Sequence, residues 1–160
     1  MNKLNFFGIG PKIAIVLLPW LALSITLTSV KHTFFCYAQA GENILLIPGI
    51  LLMVFGLGFY ISTVRNLLKG LRETRLVTNG AFRICQNPLY SSIILFILPA
   101  LSLIMNSWLI LTSSIVGYIM FKIYIKKEYT ELEHFFGEDY IKYKNETPEF
   151  FPLASKRWFS

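Results

Sequence analysis

The chain has 160 residues, of which 54% are hydrophobic, 16% aromatic and only 15% charged, and its formal net charge is +6. This composition excludes an ordinary soluble domain, because the apolar residues are gathered in long uncharged blocks. The basic residues are scattered along the flanks of those blocks and form no recognisable nucleic-acid-binding module. The sequence therefore predicts an all-α integral membrane protein whose partners are the membrane and its lipids, with no nucleic acid.

Three long stretches without charged residues define four predicted membrane helices. The third stretch, residues 84–121, would extend about 57 Å as one helix, nearly twice the thickness of a hydrocarbon core. It must therefore fold back on itself. We predict the turn at the polar pair Asn106 and Ser107. The next residue, Trp108, suits a membrane interface. The predicted spans are residues 13–30, 44–64, 88–105 and 108–125.

Three glycines, Gly49, Gly56 and Gly58, lie within the second predicted span. Small residues allow the backbones of neighbouring membrane helices to approach closely. Glycines that cradle a phosphate belong at a strand-to-helix turn, and none is predicted here. We therefore predict that these three glycines are packing positions.

The basic residues flank the spans unevenly, and this predicts the orientation, because Lys and Arg are retained on the cytoplasmic side. Residues 65–87 carry five of them, whereas the loop before the second span carries only Lys31. We predict one membrane domain over residues 1–160, with a cytoplasmic loop at 65–87 and a cytoplasmic C-terminal segment at 126–160. Both termini are then cytoplasmic, and in a bacterium the protein lies in the inner membrane. The sequence does not define an oligomeric state.

The N-terminal region and the cysteines each have an alternative interpretation. Residues 38–40, Ala-Gln-Ala, resemble a signal-peptide cleavage site, but the preceding apolar stretch is as long as a membrane span, which favours a retained helix. Cys36 and Cys85 are predicted on opposite membrane faces and cannot pair. With only His32 and His134 besides them, no metal-ligand spacing is present, so we predict no metal site and buried or interfacial thiols.

The first candidate cluster is the start of the third span at Asn87 and Pro88. Pro is favoured at the first position of a helix, and Asn before it can cap the free amides. A helix N-terminus carries partial positive charge and free N–H groups, which favour a carboxylate or phosphate. The alternative is an ordinary capped membrane helix with Tyr90 as an interface anchor.

The second cluster follows the fourth span and is predicted to be an amphipathic helix on the membrane surface. Its aromatic and apolar residues recur at helical spacing: Tyr129, Leu132, Phe135 and Phe136. Glu128 and Glu131 share another side, and Gly137 is typical of the helix stop. A solvated surface is the alternative for the two acids. The hairpin brings both clusters to one membrane face, where a carboxylate, an anion-binding helix end and aromatic rings favour a zwitterionic ligand with an aromatic base.

Residues 76–152 resemble the C-terminal half of the isoprenylcysteine carboxyl methyltransferase and phospholipid N-methyltransferase superfamily. The family pattern is Gly-x-(Phe/Tyr)-Arg-x-x-Arg-(His/Asn)-Pro-x-Tyr, a hairpin, and then Glu-Glu-x-x-Leu-x-x-x-Phe-Gly-x-x-Tyr-x-x-Tyr. The matching residues are Gly80, Phe82, Arg83, Asn87, Pro88, Tyr90, Glu128, Leu132, Phe136, Gly137, Tyr140 and Tyr143. Two positions depart from the pattern, because Gln86 stands where Arg is usual and Tyr129 replaces the second Glu.

The resemblance implies a membrane methyltransferase that uses S-adenosyl-L-methionine at the cytoplasmic face and takes a lipidic acceptor from the bilayer. Arg83 and Glu128 are the implied catalytic residues. The implied cofactor-binding residues are Gln86, Asn87, Pro88, Leu89, Tyr90, Glu128, Glu131 and Tyr140. A neutral Gln86 cannot pair bidentately with a carboxylate, which weakens the case for an isoprenylcysteine-like acceptor. A phospholipid amine, another phospholipid headgroup and a small hydrophobic acid remain open.

Two other functions are compatible with the sequence. One is a sterol-reductase-like membrane enzyme, which resembles this superfamily in its last spans but uses NADPH. The other is a non-catalytic membrane module that binds lipid or a partner protein, which the departures at Gln86 and Tyr129 allow.

Overall fold

The structure is a computed structural model that describes residues 8–37, 43–73 and 75–150. All regular elements in these residues are helical, as predicted. In chain order they are α1 (Gly10–Val30), α2 (His32–Phe35), a 3₁₀ turn (Asn43–Leu45), α3 (Leu46–Glu73), a second 3₁₀ turn (Gly80–Arg83), α4 (Pro88–Ser91), a π-helical segment (Ser92–Ile97), α5 (Leu98–Ile104), α6 (Trp108–Phe136) and α7 (Glu138–Glu146).

Three helices are long and apolar enough to cross a membrane, namely Gly10–Val30, Leu46–Gly70 and Trp108–Phe136. The protein is therefore an integral membrane protein. The fourth apolar segment, Pro88–Ile104, comprises α4, the π-helical segment and α5, and it is shorter. At 1.5 Å per residue it extends about 25 Å, somewhat less than a hydrocarbon core of about 30 Å. That this segment crosses the membrane, and that the protein therefore has four spans, stays a prediction.

The predicted hairpin turn between the third and fourth apolar segments is confirmed. Asn106 has a φ of 48°, in the left-handed region that Asn tolerates better than most residues. Ser107, directly before α6, is fully buried, and its hydroxyl lies 2.7 Å from that of Thr28 at the end of α1. Ser102 donates to the Ser107 carbonyl at 2.8 Å. The first of these contacts holds the hairpin turn against the C-terminal end of α1, and the second closes the turn itself.

The core lies among α1, the Pro88–Ile104 segment and α6. Its buried members are Ile9, Ile13, Leu17, Ile94, Leu98, Phe121 and Ile125. Helix α3 packs on the Pro88–Ile104 segment. A Cβ atom added at Gly49 would lie 2.9 Å from Ile104 Cγ1, and one at Gly56 would lie 2.7 Å from Phe96 Cβ, so both are packing positions as predicted. The prediction for Gly58 was wrong. This residue lies two positions beyond Gly56, on another side of the helix, and among the described residues a Cβ atom there would have no neighbour within 4 Å.

Two helices extend further than the predicted spans. Helix α3 continues to Glu73, so the first part of the predicted 65–87 loop is helical. The reason is that exposed basic residues end a membrane crossing without ending a helix. Helix α6 continues without a break to Phe136, where a separate surface helix was expected, because residues 118–136 contain no Gly or Pro that would end it. The predicted stop at Gly137 is confirmed, with a φ of 55° and an N–H that donates to the Glu133 carbonyl at 2.9 Å.

Candidate functional site

The loop between α3 and α4 is held against both α3 and α7. Gly80 opens its 3₁₀ turn with a φ of 60°, a conformation that favours glycine. A Cβ atom at this position would also clash with the Asn66 side-chain nitrogen on α3. From α7, the hydroxyl of Tyr143 donates to the Phe82 carbonyl at 2.6 Å. These contacts fix the loop that leads into the predicted cofactor-binding residues.

Gln86, at the first departure from the family pattern, binds the end of α7. Its side-chain nitrogen donates to the carbonyls of Lys144 at 3.0 Å and Thr147 at 2.5 Å, and its backbone N–H donates to the Pro148 carbonyl at 2.8 Å. Gln86 thus satisfies carbonyls that a helix C-terminus leaves free. Its side-chain oxygen is buried and has no hydrogen-bond partner in the described part of the chain, so it is the one polar side-chain atom that Gln86 can still offer to a ligand.

Asn87 is buried and faces α6. Its side-chain nitrogen donates to the Tyr129 hydroxyl at 2.5 Å and to the Glu149 carbonyl at 2.8 Å. The prediction that its side chain caps the following helix was wrong, because the amide turns toward α6 and makes no capping bond. A side-chain amide has two hydrogens, and both are used here, so Asn87 can offer a ligand only its carbonyl oxygen as an acceptor.

Glu128 lies where the start of α1, the start of the Pro88–Ile104 segment and α6 meet. One carboxylate oxygen accepts a hydrogen bond from the Ile9 N–H at 3.3 Å, and the carboxylate interacts electrostatically with the Tyr90 side chain. A Cβ atom at Gly8 would lie 3.0 Å from the same oxygen, so the chain passes close to the acid. The structure therefore brings the predicted residues Glu128 and Tyr90 together and adds the N-terminus of α1, which the sequence patterns did not indicate.

Tyr140 on α7 is almost completely buried beside this cluster, with 1% of its surface exposed. Its ring lies 6.5 Å from that of Tyr129, and its hydroxyl has no hydrogen-bond partner among the described residues. Burial raises the pKa of Tyr140, and the negative charges of Glu128, Glu133 and Glu149 raise it further. The hydroxyl is therefore protonated at neutral pH and lies within electrostatic range of three carboxylates.

The other predicted site residues occupy less central positions. Pro88 is buried and Leu89 is half-buried next to Asn87. Glu131 lies one helical turn beyond Glu128 and is 45% exposed, 3.9 Å from the Lys127 ammonium group. Arg83 is exposed and lines a groove between the 75–83 loop and α7 that does not include Glu128. The catalytic assignment of Arg83 and the binding assignment of Glu131 stay predictions.

Sequence reasoning missed Glu149. One carboxylate oxygen accepts from the Tyr129 hydroxyl at 3.2 Å, and the other lies 2.5 Å from the Lys122 ammonium group. Glu149 follows Pro148 in a segment without helical periodicity, 20 residues beyond Tyr129 and 27 beyond Lys122. No sequence signal therefore indicated this contact.

The central part of the site combines two partly exposed carboxylates with a buried, unpartnered hydroxyl and several aromatic rings. The carboxylates are those of Glu128 and Glu149, and the hydroxyl is that of Tyr140. Phe150 adds a further aromatic ring, which lies 5.1 Å from the ring of Phe121 on α6. A buried hydroxyl without a partner costs free energy unless a ligand satisfies it, and carboxylates favour a cation. The residues present therefore fit a ligand with positive charge, hydrogen-bonding groups and an aromatic part.

Comparison with known protein families identifies the chain. A family model described as phospholipid methyltransferase matches residues 44–139, which is more than half of the chain. Comparison with curated proteins gives no match. The matched stretch runs from the turn before α3 into the first residues of α7, so it contains Asn87 and Glu128 and ends directly before Tyr140. The resemblance to membrane methyltransferases is confirmed, and the chain belongs to the phospholipid methyltransferase family.

Proposed function

We propose that this membrane methyltransferase transfers a methyl group from S-adenosyl-L-methionine to a lipidic acceptor at the cytoplasmic boundary of the membrane. The observation that carries the proposal is the buried hydroxyl of Tyr140, which lacks a partner among the described residues and lies near Glu128 and Glu149. S-adenosyl-L-methionine has a sulfonium, an ammonium and an aromatic base, which are the ligand groups that this arrangement fits. The family match supports methyl transfer over the reductase alternative.

The position of Glu128 along α6 supports a lipidic acceptor. Glu128 lies 20 residues after Trp108, the first residue of the helix. At 1.5 Å per residue this separation is roughly 30 Å, the thickness of a hydrocarbon core. If Trp108 lies at one membrane boundary, Glu128 lies at the other, at the depth of lipid headgroups. An acceptor anchored by its acyl chains would then present its headgroup beside the site.

When bound, the cofactor supplies an electrophilic methyl group. The residues of this chain act by binding, orientation and exclusion of water. Glu128 places negative charge where a cationic ligand binds, and Asn87 presents a fixed acceptor, since both of its amide hydrogens are committed. The half-buried rings of Tyr90 and Tyr129 and the buried ring of Tyr140 would help to exclude water from a bound ligand, which would strengthen these electrostatic contacts. A direct displacement needs chiefly such positioning of its two reactants.

The contacts of Gln86 favour a phospholipid amine over an isoprenylcysteine-like carboxylate as the acceptor. Its side-chain nitrogen is engaged by two carbonyls at the end of α7, so Gln86 has no free donor for an acceptor carboxylate. The exposed Arg83 lies in a separate groove against α7. In contrast, an amine is a group that the carboxylates of the site can attract.

Equilibrium binding to the detergent-purified protein tests the proposal. Radiolabelled S-adenosyl-L-methionine and NADPH are compared on the same folded preparation. We expect saturable binding of S-adenosyl-L-methionine, with no competition by NADPH. Binding of NADPH alone would favour a reductase, and binding of neither ligand would favour a non-catalytic module. Either result would contradict the proposed function.

A further inference from the structure

The C-terminal segment after α7 lies across the start of the Pro88–Ile104 segment. Three consecutive backbone carbonyls accept hydrogen bonds from residues 86 and 87, and they belong to Thr147, Pro148 and Glu149. These bonds fix the backbone of the segment against the residues that precede α4. The side chain of Glu149 is thereby directed to α6, which it reaches at Tyr129 and Lys122.

Glu149 determines the direction of a hydrogen-bond chain that ends at Asn87. A carboxylate can only accept, so the Tyr129 hydroxyl must donate its hydrogen to Glu149, at 3.2 Å. The lone pairs of the same hydroxyl then face Asn87, which donates to it at 2.5 Å. The second amide hydrogen of Asn87 goes to the backbone carbonyl of Glu149. The Asn87 side-chain oxygen is thus left as an acceptor for a ligand, because both amide hydrogens are committed.

Glu149 also places a negative charge beside the neutral side chain of Tyr129. Tyr129 stands where the related motif has a second Glu, and a neutral phenol cannot replace that charge. The Glu149 carboxylate lies one hydrogen bond beyond the Tyr129 hydroxyl and acts electrostatically on Tyr140, as Glu128 does. Lys122, which pairs with Glu149, is 45% exposed, and the Glu149 side chain is 35% exposed, so the acid is accessible from the edge of the site.

We propose that Glu149 is the second acidic residue of the site and a positioning residue for Tyr129 and Asn87. The C-terminal segment thus supplies the carboxylate that α6 lacks at position 129. This inference rests on the proposed function, because its ligand is the cationic cofactor of that site. It predicts that a carboxylate placed directly on α6 makes Glu149 dispensable, since a Glu at position 129 could accept from Asn87 and carry the charge.

The test is a rescue experiment on the detergent-purified full chain, with S-adenosyl-L-methionine affinity and ligand-free melting temperature as separate readouts. Glu149→Gln should weaken binding about tenfold or more, the usual size of a lost charge-assisted contact. The double variant Glu149→Gln with Tyr129→Glu should recover affinity to within about threefold of the wild type. Glu138→Gln, an exposed acid on α7, is the control and should leave affinity unchanged.

Each outcome decides the inference. Unchanged affinity in a folded Glu149→Gln variant would overturn it. A loss that the double variant does not recover would show that Glu149 only ties down the C-terminal segment, which would also overturn it. If Glu149→Gln alone does not fold, the double variant tests the inference by itself. A folded double variant with wild-type affinity would support the inference, and any other result would contradict it. A wild-type protein that does not bind S-adenosyl-L-methionine would instead overturn the proposed function, and this inference with it.

Discussion

Tyr140 and Tyr143 lie one helical turn apart on α7 and provide a matched test of ligand binding against folding. The hydroxyl of Tyr143 donates to the Phe82 carbonyl, whereas that of Tyr140 has no partner within the described residues. We expect Tyr140→Phe to keep or raise the melting temperature of the ligand-free protein and to weaken S-adenosyl-L-methionine binding. Tyr143→Phe should cost about 1 kcal/mol of stability with little change in affinity. Identical effects of the two variants on both quantities would contradict this distinction.

Glu128→Gln should affect ligand affinity more than stability. The variant removes the charge but keeps the size of the side chain, and one weak bond from the Ile9 N–H should cost about 1 kcal/mol of folding free energy. Loss of a charge-assisted contact to a cationic ligand costs about 1.5 to 3 kcal/mol, or roughly ten- to more than hundredfold in affinity. Isothermal titration and thermal melting measure the two effects. An affinity equal to that of the wild type would refute the assignment of Glu128.

The individual residues of the site were only partly predictable. Tyr90, Glu128 and Tyr140 lie on helices and Asn87 directly precedes α4, and the hairpin and the Gly137 stop bring these residues to one end of the molecule. Such periodic positions can be inferred from sequence. The contact from Ile9 is made by its backbone N–H, and Glu149 lies outside the helices, so no side-chain periodicity indicates either contact and only the tertiary structure shows them.

The packing of α3 on the Pro88–Ile104 segment can be tested with two glycines of the same helix. A Cβ atom at Gly56 would lie 2.7 Å from Phe96 Cβ, whereas one at Gly58 would contact no atom of the described part of the chain within 4 Å. Gly56→Ala should therefore destabilise the protein by about 1 to 3 kcal/mol through overpacking. Gly58→Ala should leave stability unchanged or raise it by up to about 1 kcal/mol, because Ala favours a helix. Thermal melting in detergent compares them, and equal destabilisation would contradict the packing described here.

At the scale of elements, the sequence predicts the hairpin well and the helix ends poorly. The 38-residue uncharged run at residues 84–121 forces a turn, and Asn106 and Ser107 mark its position because they tolerate irregular backbone. The boundaries of α3 and α6 were placed at charged residues, yet charge limits burial in lipid without ending a helix. The π-helical Ser92–Ile97 segment was also not predicted; it lies directly before α5, where Pro99 lacks the N–H that would continue regular α-helical bonding.

The arrangement of the whole molecule predicts how its two cysteines react. Cys85 is fully buried at the end of the molecule that contains the site, and burial raises the pKa of its thiol to about 11. Cys36 lies near the hairpin turn at the other end, where it is partly exposed. An impermeant maleimide added outside intact cells should label Cys36 and should not label Cys85. Because the Cys85 thiol stays protonated, raising the pH from 7 to 9 should not make it reactive in the folded protein.

Labelling of the single-cysteine variants, followed by mass measurement, checks this prediction. Denaturation should expose Cys85 and provides the positive control for its reactivity. If Cys85 were labelled in intact cells while Cys36 was not, the predicted orientation would be reversed. If Cys85 reacted rapidly in the folded, detergent-purified protein, its burial at the site would be wrong.

Transfer of a labelled methyl group into lipid tests the central claim most directly. Membranes that contain the protein are incubated with methyl-labelled S-adenosyl-L-methionine, and label is then measured in the extracted lipids. We expect incorporation with the wild-type protein and with the Glu138→Gln control, and at least about tenfold less with Glu128→Gln, in line with the loss of one charge-assisted contact. Absence of labelled lipid with folded wild-type protein, or equal incorporation by Glu128→Gln, would contradict the proposed site and its chemistry.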